Sequence, residues 1–119
     1  MPTCLIVDDH AGFRTTARVL LEGAGWTIAE ADTGAAGLRA ARELEPEFVL
    51  LDVGLPDLDG FEVAERLSAL GRPPAVILTS SRDGADYGSL VAASTVRGFI
   101  AKGELSGEAI RALLDGVEA

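Results

Sequence analysis

The sequence predicts an α/β domain with helices wound on both faces of a parallel β-sheet, and two observations carry that prediction. Five short apolar runs recur along the 119 residues, and each is followed by a segment whose apolar residues fall at helical spacing. The runs are nearly continuous rather than alternating, which is how strands buried on both faces of a parallel sheet read. The order βαβαβαβαβα then implies a doubly wound sheet with right-handed crossovers.

The five runs are Cys4-Leu5-Ile6-Val7, Trp26-Thr27-Ile28-Ala29, Phe48-Val49-Leu50-Leu51, Ala75-Val76-Ile77-Leu78 and Phe99-Ile100-Ala101. In the first helical segment Phe13, Ala17, Leu20 and Leu21 share one face, and Gly23 and Gly25 supply stop signals. The second runs from about Thr33 to Leu44 and ends before Pro46. Asp59 can cap a third that carries Val63, Leu67 and Leu70 and is closed by Gly71 and Pro73. The fourth, Asp83 to Ser94, contains Gly84 and Gly88, each costing about 1 kcal/mol relative to Ala, so its formation depends on tertiary packing. The fifth starts near Ser106 and repeats Ile110, Leu113, Leu114 and Val117. No internal repeat, low-complexity stretch or linker interrupts this pattern, so residues 1–119 are expected to form one domain.

A chain of this length buries roughly two-thirds of its unfolded surface, enough for a core without metal or disulfide staples. Nineteen acidic against ten basic residues give a net charge of −9, which repels phosphate backbones and anionic membranes alike. Direct nucleic-acid binding and membrane docking are therefore not expected. No apolar run approaches the length of a membrane span, and no basic-then-apolar leader opens the sequence. The single cysteine, Cys4, lies in an apolar run and reads as a core residue in a reducing compartment, so a cytoplasmic location is expected. Of the ten bases nine are arginines and one is Lys102, which offers a compact ammonium in place of a planar fork.

Ligands of open parallel sheets bind beyond the carboxyl ends of the strands, at the topological switch point. Strand one ends in Asp8-Asp9, strand three in Asp52, strand four in Thr79, and strand five leads into Lys102. If strands one and three are neighbours, three carboxylates crowd together, and they repel one another unless a cation lies among them. A hard divalent ion such as Mg²⁺ suits an oxygen-rich site of this kind. A carboxylate can also attack phosphorus, and the metal, Lys102 and the Thr79 hydroxyl could compensate charge on the equatorial oxygens.

With these residues placed, the sequence resembles the receiver domain of the bacterial two-component response regulators over essentially its whole length. The resemblance rests on Ile6-Val7-Asp8-Asp9, on Leu51-Asp52-Val53-Gly54-Leu55-Pro56-Asp57-Leu58-Asp59-Gly60, on Leu78-Thr79-Ser80 and on Gly98-Phe99-Ile100-Ala101-Lys102. Each motif alone is weak, and the four together, in order and at strand ends, are specific. The resemblance implies a (βα)5 flavodoxin-like three-layer sandwich with strand order 2-1-3-4-5. It implies that Asp52 accepts a phosphoryl group from a sensor histidine kinase or phosphotransfer protein. Asp9, Asp52 and the Gly54 carbonyl would hold Mg²⁺, with Asp8 acting mainly through water. Lys102 would pair with the phosphoryl group, Thr79 would swing to hydrogen-bond it, and Phe99 would turn inward. The face around the fourth helical segment, strand five and the fifth helix would then change its affinity for an output partner or a second copy of the chain. Such a domain is a switch and not an enzyme in the ordinary sense, since it catalyses only its own phosphorylation and dephosphorylation.

Two departures from the family pattern stand out. Gly103 follows the lysine where proline is common, and Gly54, two residues past the acceptor, replaces a larger residue. Other residues read more plainly. His10 is expected to be an exposed residue at the start of helix one rather than a ligand. Asp57 and Asp59 are expected to serve the turn and the helix cap, and Trp26 to begin strand two as a packing residue. A receiver-like interaction module without phosphorylation would lack an acid, the hydroxyl or the lysine, and none is missing. A flavin nucleotide site would need an anion-friendly loop where Asp8-Asp9 stand. The Lys102-Gly103-Glu104-Leu105 continuation is similar to receivers that precede DNA-binding domains, so both a stand-alone receiver and the front of a longer regulator are expected forms.

Overall fold

The structure, a computed structural model, describes residues 2–80 and 96–115, with Asp115 described for its backbone alone. Its elements are β1 (Thr3–Val7), α1 (Ala11–Gly23), β2 (Thr27–Ala31), α2 (Gly34–Leu44), β3 (Phe48–Asp52), α3 (Gly60–Ser68), β4 (Ala75–Ser80), β5 (Gly98–Ala101), a short 3₁₀ turn (Lys102–Glu104) and a C-terminal helix, α4 (Gly107–Asp115). The helical segment expected at 83–94, and Val117, lie outside the described residues. No helix among the described residues is long and apolar enough to cross a membrane.

The five strands form one sheet in the order β2-β1-β3-β4-β5, as the resemblance implied. Every neighbouring pair is parallel. Strand residues alternate between two cores because successive side chains leave opposite faces of a strand. Leu5, Val7, Val49 and Leu51 meet Leu38 and Ala41 of α2 and Val63 and Leu67 of α3. Cys4, Ile6, Leu50 and Ile77 meet Ala17 and Leu21 of α1 and Ile110 of α4. Helices thus cover both faces, and the near-continuous apolar runs are explained: each side chain of β3 is buried.

Local chemistry fixes the helix ends. The Thr33 hydroxyl accepts from the Ala36 N–H at 3.0 Å to cap α2, and the Asp59 carboxylate accepts from the Phe61 N–H at 2.7 Å to cap α3. The Ser106 hydroxyl accepts from the Ala109 N–H at 3.0 Å at the start of α4. Helix α2 ends on Glu45 in the left-handed region (φ 47°), immediately before Pro46, which cannot continue a helix.

Two elements differ from their sequence reading. Strand β2 runs from Thr27 to Ala31, so Trp26 precedes it, and its Thr27 and Glu30 are exposed. It is an edge strand, and only one of its sides has a neighbour to pair with. Trp26 remains a packing residue, its ring meeting Phe48 edge-on at 4.6 Å. Helix α3 ends at Ser68, before Leu70, because the Ala69 and Leu70 N–H groups bond to Arg66 and Leu67, tightening the last turn.

Close packing beneath the carboxyl ends of the strands depends on glycine at two positions. A Cβ on Gly37 would lie 2.8 Å from a Val7 methyl, so α2 lies tight on β1. A Cβ on Gly60 would lie 2.5 Å from the Asp52 carbonyl oxygen, so the first turn of α3 rests on the end of β3.

Candidate functional site

The strand order brings together the polar residues expected at the rim. Asp8 leaves β1, Asp52 ends β3, Thr79 stands beside Asp52 in β4, and Lys102 follows β5. Asp8, Asp9, His10 and Asp52 each present one ligand atom within 4.8 Å of the others. A surface hollow of about 280 Å³, bordered by Trp26, Ile110 and Leu114, lies at the opposite end of the sheet. Charge marks the rim.

Asp8 is almost wholly buried, at 1% exposure. Its Oδ1 accepts from the His10 backbone N–H at 2.8 Å, and its Oδ2 lies 2.7 Å from Lys102 Nζ. The second contact is an ion pair, and Asp8 Oδ2 receives no directed hydrogen bond. Lys102 Nζ is also 3.8 Å from Asp52 Oδ2 and sits over the Phe13 ring, 4.7 Å from its centroid. The ammonium is therefore held between two carboxylates and an aromatic face on α1. Burial pushes the Asp52 carboxyl above its usual range, the Asp8 charge adds to this, and Lys102 and the Gly54 N–H oppose it. Three carboxylates against one ammonium leave a local deficit of two charges, which matches a divalent cation. The Thr79 hydroxyl is buried, at 1% exposure, and has no hydrogen-bond partner among the described residues. A buried orphan of this kind costs about 1–3 kcal/mol and signals a missing partner. The acid cluster and this orphan fit a cation with an attached oxyanion.

The loop after Asp52 is closed on itself. The Gly60 N–H donates to the Val53 carbonyl at 3.0 Å, and Gly54 and Asp59 form an isolated antiparallel bridge. Asp57, expected to serve the turn, reaches further: its carboxylate accepts from the Gly34 and Ala35 N–H groups at 2.8 and 2.9 Å. These two bonds hold its carboxyl below the usual range. Asp57 thus caps α2 from the acceptor loop. Gly54 is exposed, and a Cβ there would meet nothing within 4 Å. Phe99 is half-buried and packs against the core shared with α2 and α3. Gly103 lies in the 3₁₀ turn that follows β5, and the described peptides are all trans.

Sequence reasoning missed the contacts of three residues. His10 is exposed at the N-cap of α1, as expected, yet its Nδ1 lies 3.2 Å from both Asp8 Oδ1 and Asp9 Oδ1. Its position beside the acid pair was the available signal. Phe13, read as core, also supports Lys102. Arg14 donates from Nη1 to the Asp8 carbonyl at 2.6 Å and from Nε to Glu30 at 2.9 Å, tying α1 and β2 to the acid loop. Helical spacing gave no sign of either contact.

Comparison with known proteins agrees with this fold. The response regulator receiver domain family matches residues 4–114, and the chain belongs to that family. The transcription regulator BvgA of Bordetella pertussis is 41% identical over 109 residues, covering 91% of this chain and 52% of BvgA. The transcriptional regulatory protein KdpE of Escherichia coli is 36% identical over 86 residues, covering 72% of this chain and 38% of KdpE. The chain spans about half the length, or less, of these two relatives. Among solved structures, the signal receiver domain of NarL from Mycobacterium tuberculosis is 29% identical, with a TM-score of 0.84, covering 99% of this chain and 97% of that one. A CheY-like receiver domain from Methanospirillum hungatei superposes with a TM-score of 0.86 at 20% identity, covering 99% of this chain and 94% of that one, and supports the fold.

Proposed function

We propose that Asp52 accepts a phosphoryl group from a sensor histidine kinase or a phosphotransfer protein, and that the domain thereby switches its affinity for an output partner. The observation that carries this reading is the rim itself: a buried acceptor carboxylate between a second buried acid, a lysine and an unpartnered hydroxyl. An Asp52 oxygen attacks phosphorus, the P–N bond to the donor imidazole breaks, and that bond's electron pair leaves with the nitrogen. Asp9, Asp52 and the Gly54 carbonyl would hold Mg²⁺, with Asp8 acting through water, and the ion would neutralise charge on the transferring group. Lys102 is near enough to move from the Asp8–Asp52 pair onto the new phosphoryl oxygens. Thr79, paired with Asp52 across the β3–β4 ladder, would give its hydroxyl to the same group, and Phe99 would follow inward. The surface that reports the change would include β5 and α4, where a partner or a second copy would dock. Relatives described as transcription regulators support an output in transcription, through another part of a longer chain or a separate cytoplasmic protein.

Intact-mass measurement after incubation with phosphoramidate or acetyl phosphate, with and without Mg²⁺, tests the chemistry. One hydroxylamine-labile adduct that requires both the metal and Asp52 is expected. An adduct of the same yield on Asp52→Asn would place the acceptor elsewhere.

A further inference from the structure

The apolar stripe of α1 runs through Phe13, Ala17 and Leu21, spaced so that all three share one helix face. Ala17 and Leu21 are fully buried against the sheet, whereas Phe13 lies in the first turn and is only half-buried. There the stripe overhangs the rim, and the ring meets a charge in place of hydrocarbon. Lys102 Nζ stands 4.7 Å from the ring centroid. An ammonium within about 6 Å of a ring face is attracted by the ring quadrupole, more strongly where water is kept away. The lysine side chain is 14% exposed. Its other contacts are ionic: Asp8 Oδ2 at 2.7 Å, which receives no directed hydrogen bond, and Asp52 Oδ2 at 3.8 Å. The ammonium is thus located by charges on one side and by a ring face on the other.

We propose that Phe13 is a positioning residue for phosphoryl transfer, its ring face holding the Lys102 ammonium at the rim while that charge passes from the Asp8–Asp52 pair to the phosphoryl oxygens. The inference rests on Asp52 being the acceptor and goes beyond it by naming a residue that sets the reach of the lysine. Lysine is a point charge on a flexible four-carbon stem, so its placement at the moment of transfer has to come from its surroundings. A carboxylate in the place of Phe13 would hold the ammonium but oppose the incoming phosphoryl group, which is itself anionic. A leucine would fill the stripe and offer the charge nothing. A neutral ring attracts the cation over its whole face, so the ammonium can shift toward Asp52 without losing contact. Phe13 itself makes and breaks no bond.

Lys102 is the only lysine in the chain, so a carbon-13 label on lysine Cε gives one NMR signal. In wild type the attached protons are expected upfield of the exposed-lysine position through the ring current of Phe13. The shift is expected both in the free protein and with Mg²⁺ and beryllofluoride, and Phe13→Leu is expected to abolish it. Phosphoryl uptake from phosphoramidate at saturating Mg²⁺, read by intact mass, is expected to slow by about 2- to 30-fold in Phe13→Leu and to stay within about twofold of wild type in Phe13→Tyr. Because Leu also alters packing, a second series places phenylalanine with one, two and three ring fluorines at position 13. Fluorine drains the ring face with little change of shape. The logarithm of the rate is expected to fall stepwise toward the Leu value, while Mg²⁺ affinity moves by less than about twofold. Equal rates across the fluorinated series would overturn the proposal and leave Asp52 as the acceptor, as would a Lys102 signal that Phe13→Leu does not move. Loss of Mg²⁺ affinity in parallel with the rate would also overturn it, since Phe13 would then act by shaping the acid loop. A wild-type chain that takes up no phosphoryl group would overturn the acceptor reading and this one with it.

Discussion

Gly60→Ala tests whether the contact between α3 and the end of β3 sets the acceptor's position. The added Cβ would lie 2.5 Å from the Asp52 carbonyl oxygen and 2.7 Å from Val53 Cα, both of them backbone atoms that no rotamer change can move. To reach ordinary contact at 3.4 Å the helix start must recede by about 0.9 Å from the strand. Overpacking of this size costs about 1–3 kcal/mol, and the better helix propensity of Ala returns up to about 1 kcal/mol. The net expectation is a loss of about 1–2 kcal/mol, or roughly 4–8 °C in melting temperature for a domain of this length. Gly12→Ala is the control. It lies in α1, where a Cβ meets nothing within 4 Å, so it is expected to raise the melting temperature. Thermal unfolding by circular dichroism reads both, and phosphoramidate uptake by intact mass reads the displaced acceptor. If Gly60→Ala melted as high as Gly12→Ala and took up phosphoryl groups at the wild-type rate, the contact would not constrain Asp52.

Asp52→Asn is expected to stabilise the fold at neutral pH. The folded carboxyl titrates above its unfolded value near 3.9, so wild type loses stability as pH rises through that window. Urea midpoints of variant and wild type should therefore converge as pH falls to about 4, and a constant gap would argue against a burial cost. Lys102→Met leaves Asp8 and Asp52 facing each other without the ammonium. Breaking a buried pair costs about 3–5 kcal/mol, which the lysine's partial exposure reduces to about 1–2 kcal/mol in metal-free buffer. Mg²⁺ should raise the melting temperature of this variant more than that of wild type, and an equal rise in both would count against the charge deficit. Gly54→Asn and Gly54→Met place a side chain in open space beside the acceptor without strain. Both are expected to slow loss of the phosphoryl group several-fold by excluding water, and slower loss from wild type would refute that role.

The parts of the fold and site that could be read from sequence are those encoded by neighbours along the chain. Phe48-Val49-Leu50-Leu51 announced a buried central strand because each residue is buried, whichever face it points to. Asp8, Asp52, Thr79 and Lys102 were legible because polar residues at strand ends can only meet at one rim once the strand order is fixed. Strand β2 was started one residue early and ended two residues early because, at the edge of the sheet, its exposed positions weaken the apolar signal and Trp26 strengthens it falsely. Asp57, Phe13 and His10 were read from their local setting alone. Asp57 meets the start of α2 from 22 and 23 residues away, and Phe13 meets Lys102 across two elements of the fold. Periodicity reports which face a residue occupies and is silent on what approaches that face. For His10 the cue was adjacent in sequence, and reading it as a helix start, though correct, concealed its approach to the acids.

The bonds from Asp57 to Gly34 and Ala35 give the rim a moored side. On one flank of Asp52 the loop is moored to α2, and α2 is pressed onto β1 through Gly37 with no room for another methyl. On the other flank stand Thr79, whose hydroxyl has no partner among the described residues, and β5 at the outer edge of the sheet. Under the proposed function, a bulky charged group added at Asp52 would push against this abutment, and displacement would be steered toward β4 and β5, with a carboxylate outside the reacting atoms as the fulcrum.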